Sequence, residues 1–212
     1  MNSRLWAPFL GFIALLGLSG CTVMKPDDFA NNNPKLILEE YFVGKTRAWG
    51  IFEDRFGKVK RQFVVDIEGT WDGTILTLNE NFLYSDGEKS FRQWRISKSK
   101  DGVYNGQADD VIGMASGVAA GNALNWTYVL DLKIGKNKTL RVAFNDWMFL
   151  QPGGVLLNRA RMSKFGIELG EVTIAFMKIN DHANGTRPLR SRNTPSKKSQ
   201  KLPNDGKPLV NL

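Results

Sequence analysis

Apolar and polar residues alternate with a period of two through the middle of this chain, which restricts the folds open to it. Between residues 59 and 68, Phe63, Val65 and Ile67 fall on one face, and most of the residues between them are polar. This alternation is typical of a strand with one buried face. Asp-Gly pairs, which favour hairpin turns, follow at positions 72–73, 86–87 and 101–102. The pattern therefore predicts antiparallel strands joined by short turns.

More strands are predicted further along the chain. Residues 124–132 alternate again and place Trp126 and Tyr128 on the same face. Three further strands are predicted at residues 139–150, 155–165 and 171–179. Because nearly every connection is a short hairpin and closure removes unpaired sheet edges, we predict an all-β fold, an antiparallel up-and-down β-barrel, in preference to a sandwich. At most one short helix is expected, within residues 33–44.

Residues 111–123 fit two structures. Gly113, Gly117 and Gly121 recur every four residues, as in a GxxxG helix-packing motif. The alternative is a strand pair in which the glycines allow a sharp bend or let another group approach the backbone. The segment is much shorter than the roughly 20 residues of a spanning helix. Because β patterns also flank it on both sides, we favour the strand pair.

The first 21 residues carry a targeting pattern. Arg4 precedes an apolar run at residues 5–18, and two small residues then precede Cys21, the single cysteine. This is typical of a signal peptide (residues 1–20) that ends in a lipobox, because the apolar run is too short for a comfortable spanning helix. We therefore expect lipidation at Cys21. Thr22 is not the Asp of an inner-membrane retention signal, so the periplasmic face of a Gram-negative outer membrane is the expected location. The alternative is a signal anchor with an incidental cysteine.

Charge and composition divide the rest of the chain. The net charge is +8, but residues 181–212 hold seven Lys or Arg and only two Asp, with four prolines and no aromatic residue. Such a composition predicts a disordered basic tail, suited to contact with anionic lipid headgroups. The remainder is mildly basic and exported, so nucleic acid is not an expected partner. Residues 21–34 are polar and rich in turn formers, which predicts a tether before a barrel domain at residues 35–180.

The residues available for catalysis are few. His182 is the single histidine and lies in the predicted tail, while Cys21 is expected to be blocked by lipid. No nucleophile–base pair, metal-binding cluster or phosphate loop is recognisable. We therefore expect no cofactor, no metal and no enzymatic activity.

Carboxylates are the one remaining source of acid–base chemistry. Asp109, Asp110 and Asp146 would indicate an enzyme only if two of them converged, buried, in a cleft. Adjacent Asp109 and Asp110 point in opposite directions on a strand, so only one of them can face inward. Turn capping, or a salt bridge to Arg159 or Arg161, is the favoured interpretation.

Aromatic residues concentrate in the predicted strands and allow two interpretations. They form a filled core, which favours a structural or interaction role, or they line a cavity that holds a fatty acid or another lipid. For the second case we predict ligand contacts by Trp94, Trp126, Tyr128 and Trp147. Arg159 would then bind a carboxylate end of the ligand. The alternative for Arg159 is a salt bridge to one of the three aspartates.

Several phrases resemble those of a bacterial lipoprotein family without an assigned activity, domain-of-unknown-function family 3833. They lie at residues 106–113, 121–128, 146–148 and 158–166. The resemblance extends over about residues 35–180. It implies an envelope lipoprotein with a lipocalin-like or calycin-like barrel and no established ligand.

Overall fold

The computed structural model describes residues 23–133 and 138–179. The predicted signal peptide, Cys21, the basic tail and His182 lie outside these residues. No helix among the described residues is long and apolar enough to cross a lipid bilayer.

Ten antiparallel strands form a closed barrel, in which neighbours along the chain pair and β1 closes against β10. The strands are β1 (Gly44–Asp54), β2 (Val59–Trp71), β3 (Ile75–Tyr84), β4 (Lys89–Lys98), β5 (Val103–Gln107), β6 (Ala115–Ala120), β7 (Ala123–Lys133), β8 (Thr139–Leu150), β9 (Leu156–Lys164) and β10 (Ile167–Lys178). Helical structure in the described residues is limited to a 3₁₀ turn (Pro26–Phe29) and one short helix, α1 (Leu38–Phe42). The predicted all-β, up-and-down barrel is confirmed.

The alternation in the sequence becomes an inner and an outer face. In β2, Val65 and Ile67 are buried inside the barrel, whereas Asp66 and Glu68 are exposed. β9 alternates in the same way along its length. Burying one face of each strand removes its apolar surface from water, at about 25 cal/mol per Å². The interior face is therefore set by the sequence, and a shift of one residue would expose it.

Helix α1 closes one end of the barrel. The ring of Phe42 packs edge-on against Phe176 at 5.8 Å, and the Tyr41 hydroxyl donates a hydrogen bond to the carbonyl oxygen of Phe176 at 3.2 Å. At the opposite end, the inward-facing side chains of Phe52, Phe82 and Leu132 are only partly buried. We call the end that α1 closes the plug, and the opposite end the mouth.

Part of the predicted tether lies against the outer wall. The ring of Phe29, in the 3₁₀ turn, contacts Trp147 at 5.8 Å and Phe149 at 5.2 Å. The backbone N–H of Leu36 donates to the carbonyl oxygen of Gly121 at 2.8 Å. Phe29 therefore gives an otherwise polar segment an apolar contact with the barrel, which the composition of residues 21–34 did not suggest.

The strand interpretation of the glycine-rich segment is confirmed, because β6 occupies its centre. Gly117 lies under the indole of Trp126, where an added Cβ would meet the ring at 2.5 Å. Gly121 adopts a φ of +54°, with the Phe29 carbonyl oxygen close to its Cα. In β5, Gly106 similarly makes room for Trp126, because an added Cβ would lie 2.7 Å from the ring. These glycines thus let the Trp126 ring and the Phe29 carbonyl group approach the backbone closely, and they do not pack helices together.

We expect Gly106→Ala to lower the free energy of unfolding by about 1–3 kcal/mol, the usual range for overpacking. The new methyl group would push the Trp126 ring into the barrel. Ser116→Ala is the control, because Ser116 faces outward on the neighbouring strand, and we expect a change within about 0.5 kcal/mol. Denaturant unfolding of both variants measures the difference. Equal stability of the two variants would contradict the close packing of Trp126 on β5.

Candidate ligand-binding site

A cavity of about 210 Å³ lies inside the barrel between the plug and the mouth. Its lining is mainly apolar and includes the plug residues Leu38 and Phe42. Seven of the ten strands contribute side chains. The aromatic part of the lining consists of Phe42, Phe63, Phe82, Tyr84, Trp94, Trp126, Tyr128, Phe144 and Phe176. The barrel interior is therefore not completely filled by its own side chains.

Three of the predicted ligand-contact residues come together in this lining. The ring of Trp94 packs edge-on against Trp126 at 5.8 Å and against Tyr128 at 5.6 Å. Tyr128 also stacks on Phe144 at 5.0 Å. These side chains face inward because each occupies the inner parity of its strand. They form one continuous aromatic wall.

Trp147 and Arg159, the other two predicted contact residues, lie on the outer face. Trp147 follows the inward-facing Asp146 on β8, so its ring points away from the cavity and packs on Phe149 and Phe29. Arg159 donates two hydrogen bonds to Glu171, at 3.0 and 2.9 Å, and its side chain is 57% exposed. Strand parity separates both residues from the cavity.

The predicted salt bridge from one of the three aspartates to Arg159 or Arg161 is not the one that the structure contains. Arg159 and Arg161 both contact Glu171 instead, Arg161 at 3.4 Å. Asp110 contacts Arg92, and Asp146 lies inside the barrel with no cation within salt-bridge distance among the described residues. On β9 the inward-facing neighbour of Arg159 is Asn158, which explains why the arginines point outward.

Arg92 is the cation that lines the cavity. Its guanidinium donates to Asp110 in a two-point contact, with Nε–Oδ1 at 3.1 Å and Nη2–Oδ2 at 2.6 Å. Burial opposes the charge of Arg92, but the hydrogen bonds that Arg92 donates to Asp110 and the charge of Glu80 outweigh it, so the pKa of Arg92 is raised. Asp109 is exposed and Asp110 is partly buried. Only one of these adjacent aspartates thus faces the site.

Asp110 lies on a loop that completes the wall. The strands β5 and β6 are short, so the mouth-side halves of β4 and β7 have no strand between them. Residues 108–114 cover this gap, and the Asp131 N–H donates to the Asp110 carbonyl oxygen at 3.0 Å. The Ile112 N–H likewise donates to the carbonyl oxygen of Val129 at 2.8 Å. The pair of Arg92 and Asp110 therefore joins β4 to this loop.

Two further acids face the cavity. Burial raises the pKa of Asp146 to about 7, against hydrogen bonds from Asn158 at 3.3 Å and Tyr128 at 3.4 Å, which lower it. Burial also raises the pKa of Glu80 to about 7, although Arg92, directly opposite it on β4, acts in the other direction. Glu80 is partly buried and lines the cavity. Burial raises the pKa of Tyr128 well above its usual value, and the charge of Asp146 adds to the effect.

The site combines a large apolar wall with a small polar region. In residues 23–133 and 138–179, no group of three or more His, Cys, Asp or Glu is placed to hold a metal ion. The described residues that line the cavity include no Ser, Thr, Cys, Lys or His. Such an arrangement can enclose an apolar molecule and offer its polar end a few hydrogen bonds.

The raised pKa values of Glu80 and Asp146 predict a pH-dependent stability. Folding takes up protons at both carboxyls between about pH 4 and 7, because the unfolded chain releases them at lower pH. The two groups therefore favour the folded state at low pH, and this contribution is lost as the pH rises through about 7. The other titratable or charged groups near these acids are Arg92, Asp110 and Tyr128, and none of them is substituted in the following test.

We expect Glu80→Gln and Asp146→Asn each to gain stability relative to the wild type as the pH rises from 4 to 8. The relative gain should be about 3–4 kcal/mol per site, because each pKa rises from about 4 in the unfolded chain to about 7 on folding and a difference of one corresponds to about 1.4 kcal/mol. Unfolding curves at several pH values measure it. Glu168→Gln, which removes an exposed carboxyl outside the cavity, controls for the change in total charge. Parallel pH profiles for all variants and the wild type would contradict the burial of these acids.

Comparison with known proteins places the chain in a family, although no curated protein matches the chain itself. The sequence profile of the family described as "Protein of unknown function (DUF3833)" matches residues 15–178, which include the whole barrel. The chain therefore belongs to this family of unknown function.

Proposed function

We propose that the barrel binds an apolar, lipid-like molecule such as a fatty acid or another lipid in its cavity. The observation that carries this proposal is an aromatic, mainly apolar cavity, with only partly buried side chains at the mouth. An engineered apolar cavity of about 150 Å³ holds benzene, whereas drug-sized pockets measure about 300–1,000 Å³. At about 210 Å³, the cavity suits a short chain, or one end of a longer chain that emerges at the mouth.

Binding without catalysis is the second part of the proposal. Glu80 and Asp146 are two carboxyls that line one cavity, and each has a pKa of about 7, which suits proton transfer. Burial in an apolar barrel accounts for both pKa values without a reaction. Among the described residues, the cavity lining also offers no hydroxyl, thiol, amine or imidazole nucleophile apart from the phenols of Tyr84 and Tyr128. We therefore assign these acids to ligand positioning.

The cavity itself is best tested by filling it. Ala160 is buried, lines the cavity and faces Asp146 across the β8–β9 pair. We expect Ala160→Phe to remove ligand binding because its ring would occupy the cavity. Native mass spectrometry of the full chain, extracted from the membranes of its own host, measures bound molecules directly. The wild type should carry an adduct in the mass range of lipids, and Ala160→Phe should lose it.

Two outer-face variants control this experiment. Leu157→Phe adds a ring of the same size outside the barrel, and Arg159→Gln removes the exposed pair with Glu171, which should cost less than about 1 kcal/mol. Both should keep the adduct. A wild type without any adduct would favour the alternative, a structural or interaction lipoprotein without a ligand. A chemically altered form of the bound molecule would favour an enzyme.

The third part of the proposal is attachment of the chain to the outer membrane through Cys21. What supports it is the apolar run at residues 5–18 followed by Ser19, Gly20 and Cys21. Several acyl chains on one cysteine anchor a protein stably, whereas a single chain binds only marginally. The ligand cavity would then lie close to a lipid surface.

We expect Cys21→Ser to abolish incorporation of a labelled fatty acid into the chain and to release it from the outer-membrane fraction. Thr22→Ser is the matched control and should keep both. Thr22→Asp should keep the label but move the chain to the inner-membrane fraction. Unchanged labelling of Cys21→Ser would contradict the anchor.

A further inference from the structure

Two oxygen atoms at the inner side of the cavity have no hydrogen-bond partner. Asp146 Oδ1 and Asn158 Oδ1 are both fully buried, in side chains that belong to residues only 4% and 2% exposed. The other carboxyl oxygen, Asp146 Oδ2, accepts from Tyr128 and Asn158. A buried polar atom without a partner costs about 1–3 kcal/mol. Both residues line the cavity, but each of these oxygens exposes less than 1 Å², so a polar group in the cavity pairs with one of them only when the Asp146 carboxyl or the Asn158 amide rotates toward it.

The charges around these atoms restrict what that group can be. Arg92 is the single cation among the described residues that line the cavity, and Asp110 already engages it at two points. The remaining ionisable side chains that line the cavity are the acids Glu80 and Asp146 and the phenols Tyr84 and Tyr128. A carboxylate would meet two acids and no unpaired cation. The interior thus disfavours an anionic ligand end.

An ammonium group fits little better. It carries three donors and is strongly hydrated, and below about pH 7 Asp146 and Glu80 are largely protonated and offer no negative charge in exchange for its water. A hydroxyl group has no charge to desolvate, and it both donates and accepts. It also matches either orientation of the Asn158 amide, since it can bond to the oxygen or to the nitrogen of that group. Of the three chemistries, the hydroxyl matches the site.

We propose that the ligand of this barrel carries an uncharged hydroxyl group, bound between Asp146 and Asn158 on the plug side of the cavity. This inference rests on the proposed binding function and adds the chemical class of the ligand. Asn158 is the third residue of β9 counted from the plug end and therefore lies deep in the barrel. A ligand that enters at the mouth must then insert its hydroxyl end first. The chain of the ligand follows toward the mouth, along Phe63 and Phe82.

A panel of ten-carbon ligands with different ends tests the inference. The full chain is offered an equimolar mixture of 1-decanol, decane, decanoate and decylamine at pH 6, where Asp146 and Glu80 are largely protonated, and native mass spectrometry reports which one is bound. We expect decanol to be favoured at least about tenfold over each of the others. Asn158→Leu should reduce the preference of decanol over decane to less than twofold while decane still binds. Arg159→Gln, at the outward-facing neighbour, should keep the full preference.

The outcomes separate this inference from the proposed function. Equal binding of decane and decanol would mean that water completes the site, and a preference for decanoate or decylamine would mean another polar end. Each result overturns the inference but leaves ligand binding intact. Loss of the preference in Arg159→Gln, or its persistence in Asn158→Leu, overturns the assigned position. Asn158→Ala replaces Asn158→Leu if that variant does not fold. If none of the four ligands binds, the proposed function itself fails for chains of this length.

Discussion

Closure of the sheet between β1 and β10 determines everything else in this molecule. Nine pairs of residues join these strands, from Thr46 and Lys178 to Asp54 and Gly170. Once the ring of hydrogen bonds is complete, every strand has a fixed inner parity, because side chains alternate across a strand. The composition of the interior is then set residue by residue. A closed barrel also has no free edge that could pair with another chain.

This constraint explains which parts of the site follow from the sequence. Trp126 and Tyr128 lie in a stretch that alternates clearly, so their common inward face could be predicted. Trp147 lies in a stretch where Phe144, Met148, Phe149 and Leu150 make both faces of the strand apolar. The pattern there does not indicate which face points into the barrel. The ring of Trp147 packs on Phe149 and Phe29 at the outer wall, and no pattern in residues 21–34 predicts that Phe29 lies there.

The charged residues of the site were harder to predict for a related reason. Phe91 is 60% exposed, whereas its neighbour Arg92 points into the barrel. This reverses the usual pattern, in which the apolar residue faces inward and the charged residue faces water. Only the two-residue spacing from Arg92 to Trp94 signalled its inner position. For Arg159, the signal was present in the sequence, because Asn158, Ala160 and Met162 form the smaller and more apolar face. The expected carboxylate end of the ligand favoured Arg159 as its partner, whereas the arginine that lines the cavity is Arg92, which already pairs with Asp110.

The chemistry of the cavity therefore depends on an irregularity in the wall. If β5 and β6 were as long as their neighbours, backbone hydrogen bonds would fill the gap between β4 and β7, and no loop would carry Asp110 to Arg92. Arg92 would then be a buried cation opposite Glu80, and the cavity would attract anions. In the observed structure Asp110 balances that charge, since a two-point contact between Arg and carboxylate satisfies both groups. Asp146 and Glu80 are left as acids that burial keeps largely protonated below about pH 7. The same pair of side chains closes the wall and makes the interior unsuited to an anion.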